Sequence, residues 1–207
     1  MQPDVVFDED FLTAEEANDL YDWILDHVGW TQVQYNKYNK VIKTPRLTTC
    51  YGFHTEEIPT DFHGYKPQKI PAKLNSIKNK IEKQYNTEFN YILMSLYRDG
   101  NDSISYHSDD ERFLGKNPTI ASLSLGDSRR FLLKHKETKE RHAYELTNGS
   151  LMLMQGNTQH DWLHSIPKTK KEKTMRINLT FRKMVLPHGS KNYYHYNRGV
   201  PISLNTN

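Results

Sequence analysis

His107 and Asp109 stand two residues apart in Ser105-Tyr106-His107-Ser108-Asp109. On a β-strand that spacing puts an imidazole and a carboxylate on one face, where both reach a single ion. A third donor must come from elsewhere. His164, in Trp162-Leu163-His164-Ser165-Ile166-Pro167, is the best candidate, on a later strand 55 residues beyond Asp109. Two histidines and one carboxylate leave coordination positions open, and non-haem iron(II) oxygenases use those positions for cosubstrate and dioxygen. In a chain with ten histidines an H-x-D triplet by itself is a weak signal, equally at home on a surface strand. His160 is the nearest rival to His164 but falls in the turn-like stretch Gly156-Asn157-Thr158-Gln159-His160. His135, His142 and His188 read as exposed or hydrogen-bonded side chains.

A second constellation follows. Arg176-Ile177-Asn178-Leu179-Thr180-Phe181-Arg182 alternates strictly, so Arg176, Asn178, Thr180 and Arg182 share one strand face and the three apolar residues share the other. The guanidinium fork matches a carboxylate bidentately. Two arginines with an asparagine between them suit 2-oxoglutarate, which has a carboxylate at each end. The alternative is an exposed strand with its apolar face on a core.

The elements that must position these groups are legible from periodicity. Thr13 and Glu16 fit a capping box, and Leu20, Ile24, Leu25 and Val28 follow at helical spacing, predicting a helix over 13–28. A second, over 71–85, presents Leu74, Ile77 and Ile81 on one face and lysines on the other, with Pro71 in its first turn. Residues 30–70 read as loops and short strands. From residue 89 short β-rich runs take over: 89–98, 103–109, 119–126, 129–136, 142–147, 150–155, 161–166 and 176–184. Asp99-Gly100, Gly126-Asp127 and Asn148-Gly149 supply turn signals between them. Two helices followed by eight short strands indicate an α+β protein with a β-sandwich or jelly-roll core. One domain is expected over 1–184, with a helical, nucleotide-recognition part (1–88) and a jelly-roll core (89–184). Residues 185–207 read as a polar C-terminal extension.

Composition narrows the function class. The lone Cys50 excludes an internal disulfide and a multi-cysteine zinc site, and suits a reducing compartment. No apolar run approaches the ~20 residues that span a bilayer, and the N-terminus lacks a secretory pattern; an intracellular, nuclear or cytoplasmic place is expected. The net charge of +3 is unevenly spread: residues 1–36 carry nine acids and no Lys or Arg, which leaves a surplus of 12 positive charges on the rest. That excess favours a polyanionic partner. No protein partner is implied, and a monomer is expected.

With these residues in view, the chain resembles the AlkB demethylases, closest to the eukaryotic DNA/RNA-repair branch, over residues 45–184. The resemblance is carried by Pro45-Arg46-Leu47-Thr48, Tyr51-Gly52, Leu96-Tyr97-Arg98-Asp99-Gly100, His107-Ser108-Asp109-Asp110-Glu111, Ile120-Ala121-Ser122-Leu123-Ser124-Leu125-Gly126, Asp161-Trp162-Leu163-His164 and the 176–182 strand. It implies a double-stranded β-helix with the N-terminal helices packed on it. It implies an Fe(II)/2-oxoglutarate-dependent dioxygenase that uses O2 to demethylate 1-methyladenine and 3-methylcytosine in DNA or RNA, as in repair of alkylation damage, releasing succinate, CO2 and formaldehyde. His107, Asp109 and His164 would hold iron. Tyr97 and Arg176 would take the distal carboxylate of 2-oxoglutarate, with Asn178 and Arg182 at the chelating end. Ser95 stands where the family often has asparagine, and altered cosubstrate affinity is expected from it. Tyr51 is the first candidate to stack on a flipped base, Asp110 and Glu111 to contact a cationic ring, and Arg46, with Lys37, Lys40 and Lys43, to grip phosphates. The rivals are a 2-oxoglutarate-dependent hydroxylase of protein or small-molecule substrates and a nucleic-acid-binding module without catalysis.

Overall fold

The first helix begins where Thr13 and Glu16 satisfy each other's free main-chain N–H groups, the Thr13 hydroxyl accepting from Glu16 N at 3.2 Å and the Glu16 carboxylate from Thr13 N at 2.9 Å. The computed structural model describes residues 2–52, 67–185 and 198–204. In chain order these form β1 (Val5–Asp8), α1 (Ala14–His27), β2 (Trp30–Lys37), β3 (Lys40–Lys43), β4 (Leu47–Gly52), α2 (Ala72–Tyr85), β5 (Tyr91–Tyr97), β6 (Ile104–His107), β7 (Ile120–Gly126), β8 (Arg129–His135), β9 (Arg141–Leu146), β10 (Leu151–Met154), α3 (Thr158–Asp161), β11 (Trp162–Ile166), β12 (Arg176–Arg182) and β13 (Arg198–Ile202). Among the described residues no helix is long and apolar enough to cross a membrane.

The strands form two antiparallel sheets. The larger runs β1-β10-β7-β12-β5-β4-β2-β13, with β3 on β2; the smaller runs β6-β11-β8-β9. Apart from β2–β3, β4–β5 and β8–β9, paired strands are not consecutive in the chain, as in a jelly roll. β12 shows why: Ile177, Leu179 and Phe181 pack with Leu20 and Ile24 of α1 and Leu74 and Ile81 of α2. Its other face looks toward the smaller sheet, so both faces are buried. A second apolar cluster, with Leu93, Phe131, Leu133, Met154 and Trp162, fills the space between the sheets. The polar face of β12 is therefore sealed against water rather than exposed to it.

Several expectations change here. Residues 30–52 are regular: β2 and β3 form a hairpin whose turn holds Tyr38 and Asn39 at φ 50° and 59°. A tyrosine with positive φ is uncommon, so this turn gives little sequence signal. Part of the expected polar extension is a strand, β13, which pairs with β2 from Arg198 to Ile202. Gly199 and Pro201 mask it in the sequence, and it stands at a sheet edge, where proline is tolerated. The acidic N-terminal stretch opens with a strand: β1 adds to the far edge of the larger sheet through β10. Residues 53–66, and 186–197 with His188, lie outside the described residues.

Candidate metal centre and carboxylate pocket

The two histidines meet by strand pairing. β11 lies antiparallel to β6 with His164 opposite His107, and their ring centroids are 4.2 Å apart. Asp109 arrives differently from the sequence expectation. β6 ends at His107, so alternation along one strand does not aim the carboxylate. It is brought back by two other residues. The buried Gln159 side chain, from α3, accepts the Asp109 N–H at 2.8 Å, and Arg182 Nη2 sits 2.8 Å from Asp109 Oδ1. The result is one cluster, with a donor atom from each of His107, Asp109 and His164 within 4.8 Å of the others.

The donor chemistry fits a divalent ion. His107 Nδ1 lies 2.8 Å from the Ser105 carbonyl, which selects the tautomer that donates there and leaves Nε2 as a lone-pair donor. Burial pushes His164 down to about 3, assisted by His107 and Arg182, so its imidazole is neutral. Burial alone would raise Asp109, but Arg182, His164 and His107 outweigh it and hold the carboxyl at about 2. Two neutral imidazoles and one carboxylate anion are the side-chain set that binds iron(II).

These shifts predict acid sensitivity in the metal-free chain. His164 is neutral when folded down to about pH 3, whereas unfolded it takes a proton below about 6.5. The unfolded state then binds more protons, so stability falls with pH through that window, with a slope approaching ~1.4 kcal/mol per pH unit. Asp109 adds loss in the same direction as pH drops from about 4 toward its folded value of about 2. Urea titrations between pH 7 and 4 check this; a flat profile for wild type, or an unaltered slope in His164→Gln, contradicts it.

Behind the metal cluster lies a small inner cavity. Its wall includes Ser95, Tyr97, Ser122, Asn178, Thr180, Arg176 and Arg182, together with His107, Asp109 and His164. Arg176 is 1% exposed. Its Nη2 donates to Ser124 Oγ and Asn178 Oδ1, whereas Nε and Nη1 meet no acceptor among the described residues. Burial pulls its pKa down to about 10. A buried guanidinium with no carboxylate partner among the described residues is costly, and an anion in the cavity would relieve that cost. Asn178 is held by Ser122 and Thr180 and orients Arg176. Ser95 pairs with Asn178 across β5 and β12. Arg182, expected beside a bound cosubstrate, lines the same cavity but is committed first to Asp109. The pocket fits a small carboxylate ligand facing the metal position, as 2-oxoglutarate requires.

An outer groove of about 530 Å³ opens from the same cluster, lined by Val33, Tyr35, Ile42, Lys43, Arg46 and Glu111 among others. Arg46 lines both spaces. Glu111 sits 4.0 Å from Arg182, and burial raises its carboxyl pKa. Asp110 faces solvent, its side chain 62% exposed and 3.8 Å from Lys136, and lines neither space.

Tyr51 is corrected outright. It is 4% exposed and packs in the core beneath α2, because odd-numbered β4 positions face the helices while Thr48 and Cys50 face inward. Burial raises its phenol to about 12. Tyr51→Ala is expected to destabilise the fold by ~3 kcal/mol or more, and Tyr51→Phe to leave nucleic-acid binding unchanged; urea melts and binding titrations separate the two. Sequence reasoning passed over Gln159, one residue before the dismissed His160, because a lone glutamine carries no motif. Ser122 and Ser124 had a signal: they alternate on β7 opposite Thr180 and Asn178 of β12.

Comparison with known proteins agrees with this geometry. Residues 4–182 match the 2OG-Fe(II) oxygenase superfamily. The chain is 36% identical over 184 residues to the alpha-ketoglutarate-dependent dioxygenase alkB homolog 3 of Bos taurus, covering 83% of this chain and 63% of that protein. It is 37% identical over 159 residues to the DNA oxidative demethylase ALKBH2 of Homo sapiens, covering 72% and 60%. It thus spans somewhat under two thirds of the length of these relatives. The solved structure of OsALKBH1 superposes with a TM-score of 0.65 over 88% of this chain and 99% of that one, at 17% identity, and shares the fold.

Proposed function

Since the chain belongs to the 2OG-Fe(II) oxygenase superfamily, as an AlkB-type member, we propose that it oxidatively demethylates N-alkylated bases, such as 1-methyladenine and 3-methylcytosine, in DNA or RNA. One observation carries this reading: the His107, Asp109 and His164 donors lie between a small inner cavity that holds Arg176 and a larger groove whose lining includes Lys43 and Arg46. Iron(II) bound there, with 2-oxoglutarate and dioxygen, supplies the oxidation of the methyl carbon that releases formaldehyde, succinate and CO2.

The protein's own residues do the rest. Arg176 and Tyr97 hold the far carboxylate at the closed end. Arg182 keeps Asp109 ionised and aimed. The groove takes one base, which must leave its stack because the methyl group is out of reach inside a duplex. Val33, Ile42 and Tyr35 give it an apolar wall, Glu111 a polar contact, and Arg46 and Lys43 lie where flanking phosphates pass. Lys37 and Lys40, further along the same hairpin, extend that charge, so binding should weaken with salt.

The test is incubation with iron(II), 2-oxoglutarate, ascorbate and oligonucleotides carrying one 3-methylcytosine, as single-stranded DNA, duplex DNA and RNA, read by mass spectrometry. Loss of one methyl group that requires every cofactor is expected. Consumption of 2-oxoglutarate without methyl loss on any strand would move the substrate outside nucleic acid.

A further inference from the structure

Two guanidinium groups lie over the Tyr97 ring, Arg176 at 5.3 Å and Arg129 at 5.5 Å from its centroid. Arg129 opens β8, directly after the turn that carries the chain from the larger sheet to the smaller. It is 2% exposed and forms no ion pair among the described residues. Its donors go to main-chain carbonyls: Nη1 to Asp99 at 2.9 Å, and Nη2 to Asp102 at 2.8 Å and Pro167 at 2.7 Å. The first two belong to the β5–β6 turn that follows Tyr97, and the third to the exit of β11, which bears His164. Thr169 N donates to the Gly100 carbonyl at 2.9 Å and closes the same junction. Arg129 thus fastens the end of the jelly roll where the β5–β6, β7–β8 and β11–β12 crossings between the sheets meet.

Its charge has a consequence separate from this fastening. The guanidinium makes no ion pair among the described residues, but the Asp102, Asp127 and Asp99 carboxylates offset part of its charge at longer range; what is left acts in a poorly solvated interior, where a field reaches further than in water. Arg176, which lines the inner cavity, already lacks a carboxylate partner among the described residues. Arg129 is a second cation beside it and helps lower its pKa. A dianion at the Tyr97–Arg176 end relieves both.

We propose that Arg129 is a positioning residue for a 2-oxo dicarboxylic acid: from outside the cavity wall it fixes the Tyr97 ring against Arg176 and adds a second positive charge to the pole that receives the distal carboxylate. This rests on the reading of the inner cavity as the 2-oxoglutarate site. Arg129 touches no reacting atom, so its effect is selective. It favours the five-carbon diacid over 2-oxopentanoate, which has the same 2-oxo acid end and no distal carboxylate.

The experiment measures dissociation constants of both acids by calorimetry on the purified full chain with Mn(II) in place of iron. Wild type is expected to prefer 2-oxoglutarate strongly. Arg129→Met should lower that preference about tenfold with 2-oxopentanoate binding unchanged, and Arg129→Lys should recover most of it. Equal weakening of both acids, or an unchanged preference, overturns the proposal. A wild type that does not distinguish the acids overturns the reading of the cavity instead. Should Arg129→Met not fold, hydrogen exchange on wild type decides. Amides of residues 98–103 should gain protection with 2-oxoglutarate and not with 2-oxopentanoate; equal protection by both refutes the coupling.

Discussion

Asp109→Ala is expected to abolish metal binding and demethylation and also to destabilise the metal-free chain by ~3–5 kcal/mol. The two losses have different origins. The first removes the only anionic donor of the His107–Asp109–His164 set. The second leaves Arg182, 4% exposed, as a buried cation whose remaining carboxylate neighbour, Glu111, is 4.0 Å away. Asp109→Asn separates them: an amide oxygen still accepts from Arg182 while the negative charge is gone, so part of the stability should return and metal affinity should not. Mn(II) titration and urea melts on the three proteins test this. Metal binding by Asp109→Ala at wild-type affinity would remove Asp109 from the donor set; wild-type stability would mean that the Arg182 pair contributes nothing net.

Arg176→Met is expected to act in opposite directions on binding and stability. Two charge-assisted hydrogen bonds to a carboxylate contribute roughly 3–6 kcal/mol together, so 2-oxoglutarate should bind at least ~100-fold more weakly. The empty chain should be as stable as wild type or more so, by ~1–2 kcal/mol, because a methionine of similar volume does not leave buried N–H groups without acceptors. Thermal melts with and without 2-oxoglutarate and Mn(II) show both effects. Wild type should gain stability as the ligand is added, and the variant should start level or higher and gain little. A large stability loss in Arg176→Met would mean that the guanidinium serves the fold through Ser124 and Asn178 rather than awaiting an anion.

The local chemistry is largely legible in the sequence. The Thr13/Glu16 capping box and the apolar spacing in 13–28 and 71–85 specify α1 and α2, since helix signals are local in sequence. Strict alternation over Arg176–Arg182 specifies both faces of β12, and the eight strand runs from residue 89 each correspond to one of β5 to β12. Less legible were β1, β2, β3, β4 and β13. They are short, polar or interrupted by Gly and Pro, and their stability comes from neighbours distant in sequence.

The residue types at the centre, two imidazoles, a carboxylate and two arginines, were therefore set by the sequence alone. What they do to one another was set by tertiary structure. Only the pairing of β6 with β11 puts His164 beside His107, and only Gln159 and Arg182 return Asp109 to them once β6 has ended. Alternation fixes that Tyr51 and Cys50 point to opposite faces of β4, but not which face meets the helices; that depends on α2 covering one side, and it makes Tyr51 core. The same enclosure makes Arg176 a site. On an exposed strand its charge would be solvated and would select nothing; between two sheets, with no carboxylate partner among the described residues, its unmet hydrogen bonds favour the anion that fits.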